Sequence, residues 1–385
     1  MRDRLTIGTF RASALTIILT LAGILVFLVR EGIPALTKKP FEGLRFAVHP
    51  NNPVQKLSAD QCRALFQKNL AWPDVGGPDT PVLSIHLYNL ERYVGSQATP
   101  EKIKAFLDSV AQVTGILVAL PPTWLPTSLR PIQVEWSAWE ALFGSTRWSP
   151  TYEPLPEVGL WPLLLGSLWV ALLGLLITIP LGVAMAIYVA EFLPRTLYYP
   201  MKVLWEVVAG LPSVVVGFWG LVVLVPWLQK SFHLTTGETA LTAALLLGWM
   251  TIPLMASLSE EALSNVPRLL VEASYGLGAT PWQTILRVKI PAIRSSLLTA
   301  TLLSAGRILG ETMIVLIVSG NAPVLPTSPL SPVRTLPATL AAELGEAPVG
   351  SYHYHTLFFL GLILFLITLA INILAYAITP GEKTP

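Results

Sequence analysis

Six stretches of this chain hold apolar residues with almost no polar interruption for close to the length a helix needs to cross a bilayer, about 20 residues. They cover residues 12–29, 160–189, 203–228, 239–258, 297–320 and 357–378. Between the first and second lies a segment of ordinary mixed composition. There Ser58 with Gln61 forms a capping box opening a helix through Leu65, and Thr99 followed by Pro100 opens another along Ile103, Phe106, Leu107 and Val110. Residues 82–87 alternate apolar and polar as a strand does, after the turn at Gly76, Gly77, Pro78 and Asp79. A small α+β unit is expected there.

Composition agrees with a membrane protein: 53% of the 385 residues are hydrophobic and 12% charged, against roughly a quarter charged in soluble domains. The first stretch follows Arg2, Arg4 and Arg11 but lacks a small-x-small cleavage site, reaching Arg30-Glu31-Gly32 instead, so it reads as an uncleaved anchor. Basic residues set the topology. With a cytoplasmic N-terminus, the inner loops carry Arg2, Arg4, Arg11, Arg195, Lys202, Arg268, Arg287, Lys289, Arg294 and Lys383, and the outer ones only Lys230 and Arg334. Both termini are expected in the cytoplasm of a multi-pass bacterial inner-membrane protein. The domains are then a tail and first span (1–31), an external periplasmic segment (32–157), and a core of five spans (158–380) containing a cytoplasmic loop at 260–294. A second external connection, 321–353, is Pro-rich and is expected to be extended and loosely ordered.

The net charge of +2, with basic residues scattered, excludes nucleic acid as a partner and leaves membrane lipid. Cys62 is the sole cysteine, and the five histidines show no HExxH spacing, so no disulfide, metal or other cofactor is expected. No Gly-Lys pair exists, hence no P-loop. The chain is not expected to be an enzyme; any ATP chemistry belongs to another polypeptide.

Two places carry candidate chemistry. In the inner loop, Gly278 can end one helix with a left-handed cap, Thr280 and Gln283 cap a second, and Pro291 limits it. Two short helices joined by a tight turn make a lever able to press on a docked partner. In the fifth span, Arg307 and Glu311 are four residues apart on one helix face and could pair. Such pairs contribute only about 0.2–0.5 kcal/mol, too little to offset a guanidinium in the bilayer, so a functional charge is favoured, and an Arg fork suits phosphate oxygens. Pro212, preceded by Gly210, should break or kink the third span.

The run EASYGLGATPWQTILRVKIPAIRSSLLTA resembles the EAA loop of importer-type ABC permeases, and RILGETMIVLIVSGN resembles the RAIGETM motif of phosphate permeases. FGSTRWSP (143–150), ITIPLGVAMAIYVAEF (177–192) and EVVAGLPSVVVGFWG (206–220) are similar to the same family in the same order. The resemblance favours PstC over PstA and implies a type I, MetI-like ABC importer permease fold: an all-α membrane bundle of about six helices. It implies a PstA-like second permease, a cytoplasmic ATPase dimer and a periplasmic phosphate-binding protein as partners. Arg307, Glu311 and Thr312 would lie on the phosphate path. ATPase coupling would fall to Glu272, Ala273, Ser274, Gly278, Ala279, Thr280 and Pro291. A permease for another oxyanion, or a membrane phosphate sensor, would suit the same residues; an ion-coupled carrier built on inverted repeats would not, since no internal symmetry is apparent. The segment 45–120 resembles part of the second lobe of a phosphate-binding protein, without the Gly-rich turns that hold the anion, so it is not expected to bind phosphate tightly alone.

Overall fold

The computed structural model describes residues 2–87, 89–95 and 99–378, with side chains from residue 13 onward. Lys383, counted above among the inner charges, lies outside the described residues, as do the side chains of Arg2, Arg4 and Arg11. The chain divides into two compact units, residues 1–160 with 347–359, and residues 161–346 with 360–385.

The first unit begins with α1 (Arg2–Gly32), which continues as an apolar crossing-length segment over Ser13–Thr37. Its soluble part is built on a five-stranded sheet of β1 (Arg45–Val48), β2 (Lys56–Ser58), β3 (Leu83–His86), β4 (Ile116–Leu120) and β5 (Arg130–Glu135). The order is β2-β5-β1-β4-β3, with β1 antiparallel to both neighbours and the outer pairs parallel. Strand β4 is buried on both faces, and the two-residue period sends Leu117 and Ala119 to one core and Ile116, Val118 and Leu120 to the other. Helix α2 (Ala59–Phe66) covers the first core through Cys62, Leu65 and Phe66; α3 (Pro100–Val110) covers the second through Leu107.

Local punctuation explains both helices. Ser58 Oγ accepts from Gln61 N at 3.2 Å while Gln61 Oε1 accepts from Ser58 N at 3.0 Å, closing the capping box. Helix α3 starts at Pro100, but Thr99 makes no side-chain cap. Arg63 is buried and ties α2 to the following chain, donating to Leu155 O at 3.1 Å and Pro156 O at 3.0 Å and pairing with Asp60 at 2.6 Å. Four of the five strands carried no sequence expectation; only β3 did.

The second unit is a helical bundle. Its long members are α4 (Trp161–Ile187), α8 (Ala240–Ser264) and the continuation of α14 (Tyr352–Ile378). Helices α4 and α8 approach closely because glycine lies where they meet: a Cβ on Gly248 would stand 3.0 Å from Gly174 O, and one on Gly182 would stand 2.6 Å from Met255 Cγ. Thr178 Oγ1, fully buried, donates to Gly174 O at 2.9 Å and lies 3.0 Å from Gly248 O.

Two of the six expected spans are not continuous. The third is α5 (Arg195–Ala209), a break, then α6 (Ser213–Trp219), a π-helical stretch and α7 (Val225–Ser231). The fifth is α11 (Arg294–Leu309), a break, then α12 (Met313–Val318). Among the described residues, five helical segments are long and apolar enough to cross a membrane, and the fifth expected span is not one of them.

The connection after α12 departs from its expected looseness. Val333 N donates to Ser319 O at 2.9 Å, and Ser319 Oγ donates to Val333 O at 2.8 Å. Pro329 O and Ser331 O accept from Leu241 N and Ala240 N, satisfying two of the unpaired donors at the start of α8. A short helix α13 (Leu336–Glu343) follows, capped by Thr335, with Arg334 Nη1 paired to Glu343 Oε1 at 2.7 Å. Proline removes donors but not acceptors, so a Pro-rich chain can still cap another helix.

Candidate functional sites: an elbow and two broken helices

The elbow follows α8. Helix α9 (Arg268–Gly276) has Pro267 at its N-cap and ends at Gly278, whose φ of +82° only glycine adopts freely; a Cβ there would meet nothing within 4 Å, so backbone conformation rather than space requires it. Helix α10 (Pro281–Thr284) then opens with a full capping box: Thr280 Oγ1 accepts from Gln283 N at 3.3 Å and Gln283 Oε1 accepts from Thr280 N at 3.0 Å. The two helices are clasped by Ser274 Oγ and Thr284 Oγ1, 2.9 Å apart and both buried. A π-helical stretch, Ile285–Lys289, and the short Ile290–Ala292 lead into α11.

The expected coupling residues therefore divide by role. Ser274 is an internal clasp, Gly278 the turn and Thr280 the cap; Ala279 is half-buried, and Glu272, Ala273 and Pro291 are exposed. Around them Leu269, Leu270, Tyr275, Leu277, Trp282 and Leu286 are also exposed, Leu277 at 90%. A rigid elbow with an apolar exterior is suited to burial against a partner.

Two supports of the elbow carried no sequence expectation as such. Lys289 Nζ meets Glu191 Oε1 at 2.6 Å, each side chain about one-seventh exposed. Glu260, 1% exposed, takes Lys202 Nζ at 2.9 Å, and its Oε1 accepts from Tyr198 Oη at 3.1 Å and Ser264 Oγ at 3.0 Å. Lys289 and Lys202 had value in the sequence only as topological charge. The carboxylates that end two apolar runs, Glu191 and Glu260, were the available signal.

The second site lies where the broken helices meet. Gly310 ends α11, so the 3.6-residue period that would stack Arg307 over Glu311 is lost, and among the described residues no ion pair joins them. Each charge instead faces a helix end. The exposed Arg307 guanidinium donates through Nη2 to Ala209 O at 3.5 Å, the last residue of α5. Glu311 Oε1 accepts from Met313 N, the first residue of α12, at 3.2 Å. A cation at a C-terminus and a carboxylate at an N-terminus are the favourable placements against the helix dipole. Thr312 is half-buried, its Oγ1 3.4 Å from Gly310 O.

The two breaks also repeat each other. Gly210 caps α5 at φ −86°, ψ −3°, and Gly310 caps α11 at φ −85°, ψ −7°. The offset is 310 − 210 = 100 residues; Gly220 and Gly320 share it in sequence but not in conformation, Gly220 being helical (φ −59°) and Gly320 left-handed (φ +78°). Helices α6 and α12 pack together: a Cβ on Gly217 would stand 2.9 Å from Ile317 Cδ1 and 3.3 Å from Ile314 Cα. The likeness of the two breaks is confined to their capping glycines and to the packing of the short helices that follow.

Residues 178–383, more than half of the chain, match the family of binding-protein-dependent transport system inner membrane components. The protein described as "Probable ABC transporter permease protein YqgH" of Bacillus subtilis is 38% identical over 239 residues, 62% of this chain and 77% of the relative. The phosphate transport system permease protein PstC of Mesorhizobium japonicum is 37% identical over 264 residues, 62% of this chain and 80% of the relative. Among solved structures, an inward-facing MetNI methionine ABC transporter aligns with 60% of this chain and 100% of its own at 20% identity and a TM-score of 0.42. The chain belongs to the binding-protein-dependent transport system inner membrane components, with the type I, MetI-like ABC importer permease fold, and within that family to the permeases of the PstC type.

Proposed function

We propose that this protein is a transmembrane subunit of an ATP-driven importer of inorganic phosphate. It would form the translocation path with a second, PstA-like permease. The relatives named for phosphate transport support the substrate, and the observation that carries the reading is the exposed Arg307 guanidinium at the meeting of two broken helices. A guanidinium that, among the described residues, makes one hydrogen bond, at 3.5 Å to a carbonyl, keeps most of its donors for a passing oxyanion. Glu311, held on the α12 terminus, sets the local charge so that the anion is attracted without being trapped.

In this reading the elbow at 260–294 faces the cytoplasm and docks its apolar exterior into a separate ATPase, a dimer that performs all nucleotide chemistry. Both termini are cytoplasmic, and the unit containing the five-stranded sheet is external, where a periplasmic phosphate-binding protein delivers substrate. Within the domain scheme of 1–31, 32–157 and 158–380, the insert at 45–120 does not bind phosphate with high affinity alone.

The test is uptake competition. Labelled phosphate entering cells through the assembled transporter is displaced by unlabelled phosphate and not by sulfate or molybdate, and Arg307→Gln removes uptake while the subunits still co-purify. Displacement by sulfate at equal concentration would instead identify a permease for another oxyanion.

A further inference from the structure

A lever transmits force only if something fixed connects it to what it moves, and most of what joins this elbow to the rest of its unit is apolar packing. Ile285 and Ile293 pack in one buried cluster with Ala186, Ile187, Leu263 and Val266. Such contacts are non-directional and fix no single pair of atoms. Two ion pairs are the exceptions among the described residues: Lys202–Glu260, which holds the end of α8 before the elbow's own helices begin, and Lys289–Glu191, which ties the second half of the elbow to another span. Lys289 closes the π-helical stretch of the elbow; Glu191 lies in the π-helical stretch Tyr188–Phe192 that ends the span at 161–192. They are 98 residues apart in sequence, and their charged atoms are 2.6 Å apart. Exposures of 13% and 15% leave both largely out of water. Separating them would strand two charges in a medium that solvates them poorly, so the pair resists stretching in a way that the surrounding side chains do not.

We propose that the Glu191–Lys289 ion pair is the strut that carries movement of the elbow into the 161–192 helix. Glu191 and Lys289 are therefore positioning residues for transport, not contacts for nucleotide, ATPase or phosphate. The inference rests on the importer reading above. Neither residue belongs to the exposed apolar face of the elbow, and Glu191 is outside the 260–294 loop altogether. Their π-helical settings supply the geometry. The wide turn ends the 161–192 span at Glu191 and lies between Thr284 and Ile290 at Lys289, and in each place the change of phase re-aims the side chain relative to a regular helix.

The test uses the complete transporter, this chain with its partner subunits, in proteoliposomes, and reads ATP hydrolysis and labelled phosphate uptake on the same sample. Glu191→Gln and Lys289→Met each leave hydrolysis within about twofold of the parent while phosphate moved per ATP falls at least about tenfold; the exchanged pair, Glu191→Lys with Lys289→Glu, restores that ratio to within about threefold. A purely structural role would lower hydrolysis, uptake and subunit recovery together, and that result overturns the strut. So does an unchanged ratio in both single variants. Failure of the parent complex to take up phosphate on ATP would overturn the importer reading and the strut with it, whereas a coupled parent with equally coupled variants overturns the strut alone.

Discussion

The breaks after Ala209 and after Leu309 open on the same glycine conformation and then part: Pro212 is extended (φ −60°, ψ 126°) before α6, whereas Thr312 is helical (φ −110°, ψ −54°) before α12. Each ends a helix on a glycine in nearly identical conformation, and each restarts within three residues in a short helix that packs against the other. In the first the interruption is Leu211 and Pro212, with no charge; in the second it is Glu311 and Thr312, with Arg307 one turn before. The difference separates two requirements that one break could have met together. Proline ends a helix by removing a donor and clashing with the preceding turn, which needs no partner. The Gly-Glu-Thr break has no such steric stop and is held by what its charges bind: a carbonyl end for Arg307 and an amide end for Glu311. One break is architectural, and the other is set by the residues assigned here to phosphate.

That asymmetry can be tested from either side. The largest effect is expected for Arg307→Gln, which should lower phosphate uptake by roughly 100-fold, the scale of losing a charge-assisted hydrogen bond worth about 3 kcal/mol. Assembly, judged by subunit recovery, should be unchanged. Glu311→Gln keeps the cap on Met313 N but not the charge, and should cost roughly tenfold in uptake. Pro212→Ala frees an N–H and lets α5 attempt to run on into α6; uptake measured in the same assay should fall only a few-fold, about 1 kcal/mol, because the Gly210 cap remains. The smallest effect belongs to Gly210→Ala and Gly310→Ala. Both positions have negative φ, and a Cβ there approaches no atom more closely than 3.2 Å and 3.3 Å, so stability should shift by less than about 1 kcal/mol and uptake by less than about twofold. A large loss in Gly210→Ala with none in Arg307→Gln would reverse the comparison.

The asymmetry also accounts for what was legible in the sequence. Pro212 is a strong local signal, and the break it predicts is present. Gly310 is not, because a single glycine in an apolar run is compatible with a continuous helix; an Arg-to-Glu spacing of four then suggested a pair that the real break separates. The capping boxes at Ser58 and Thr280 are read directly, since both partners lie within four residues. The order of the 321–346 connection is not, because what holds it, Pro329 O and Ser331 O on the start of α8, depends on where another helix ends. The sheet is intermediate: β3 alternates cleanly, whereas β4, buried on both faces, has no alternation to find. The Lys289–Glu191 pair, separated by 98 residues, lies beyond any local pattern.

The central claim is that phosphate crosses through this chain on force generated by another subunit's ATP hydrolysis. Its most direct test is labelled phosphate uptake into proteoliposomes holding either this chain alone or the chain with its permease and ATPase partners. Uptake that requires both ATP and the partners is the expected result; uptake by the chain alone, down an imposed proton or sodium gradient without nucleotide, would contradict it.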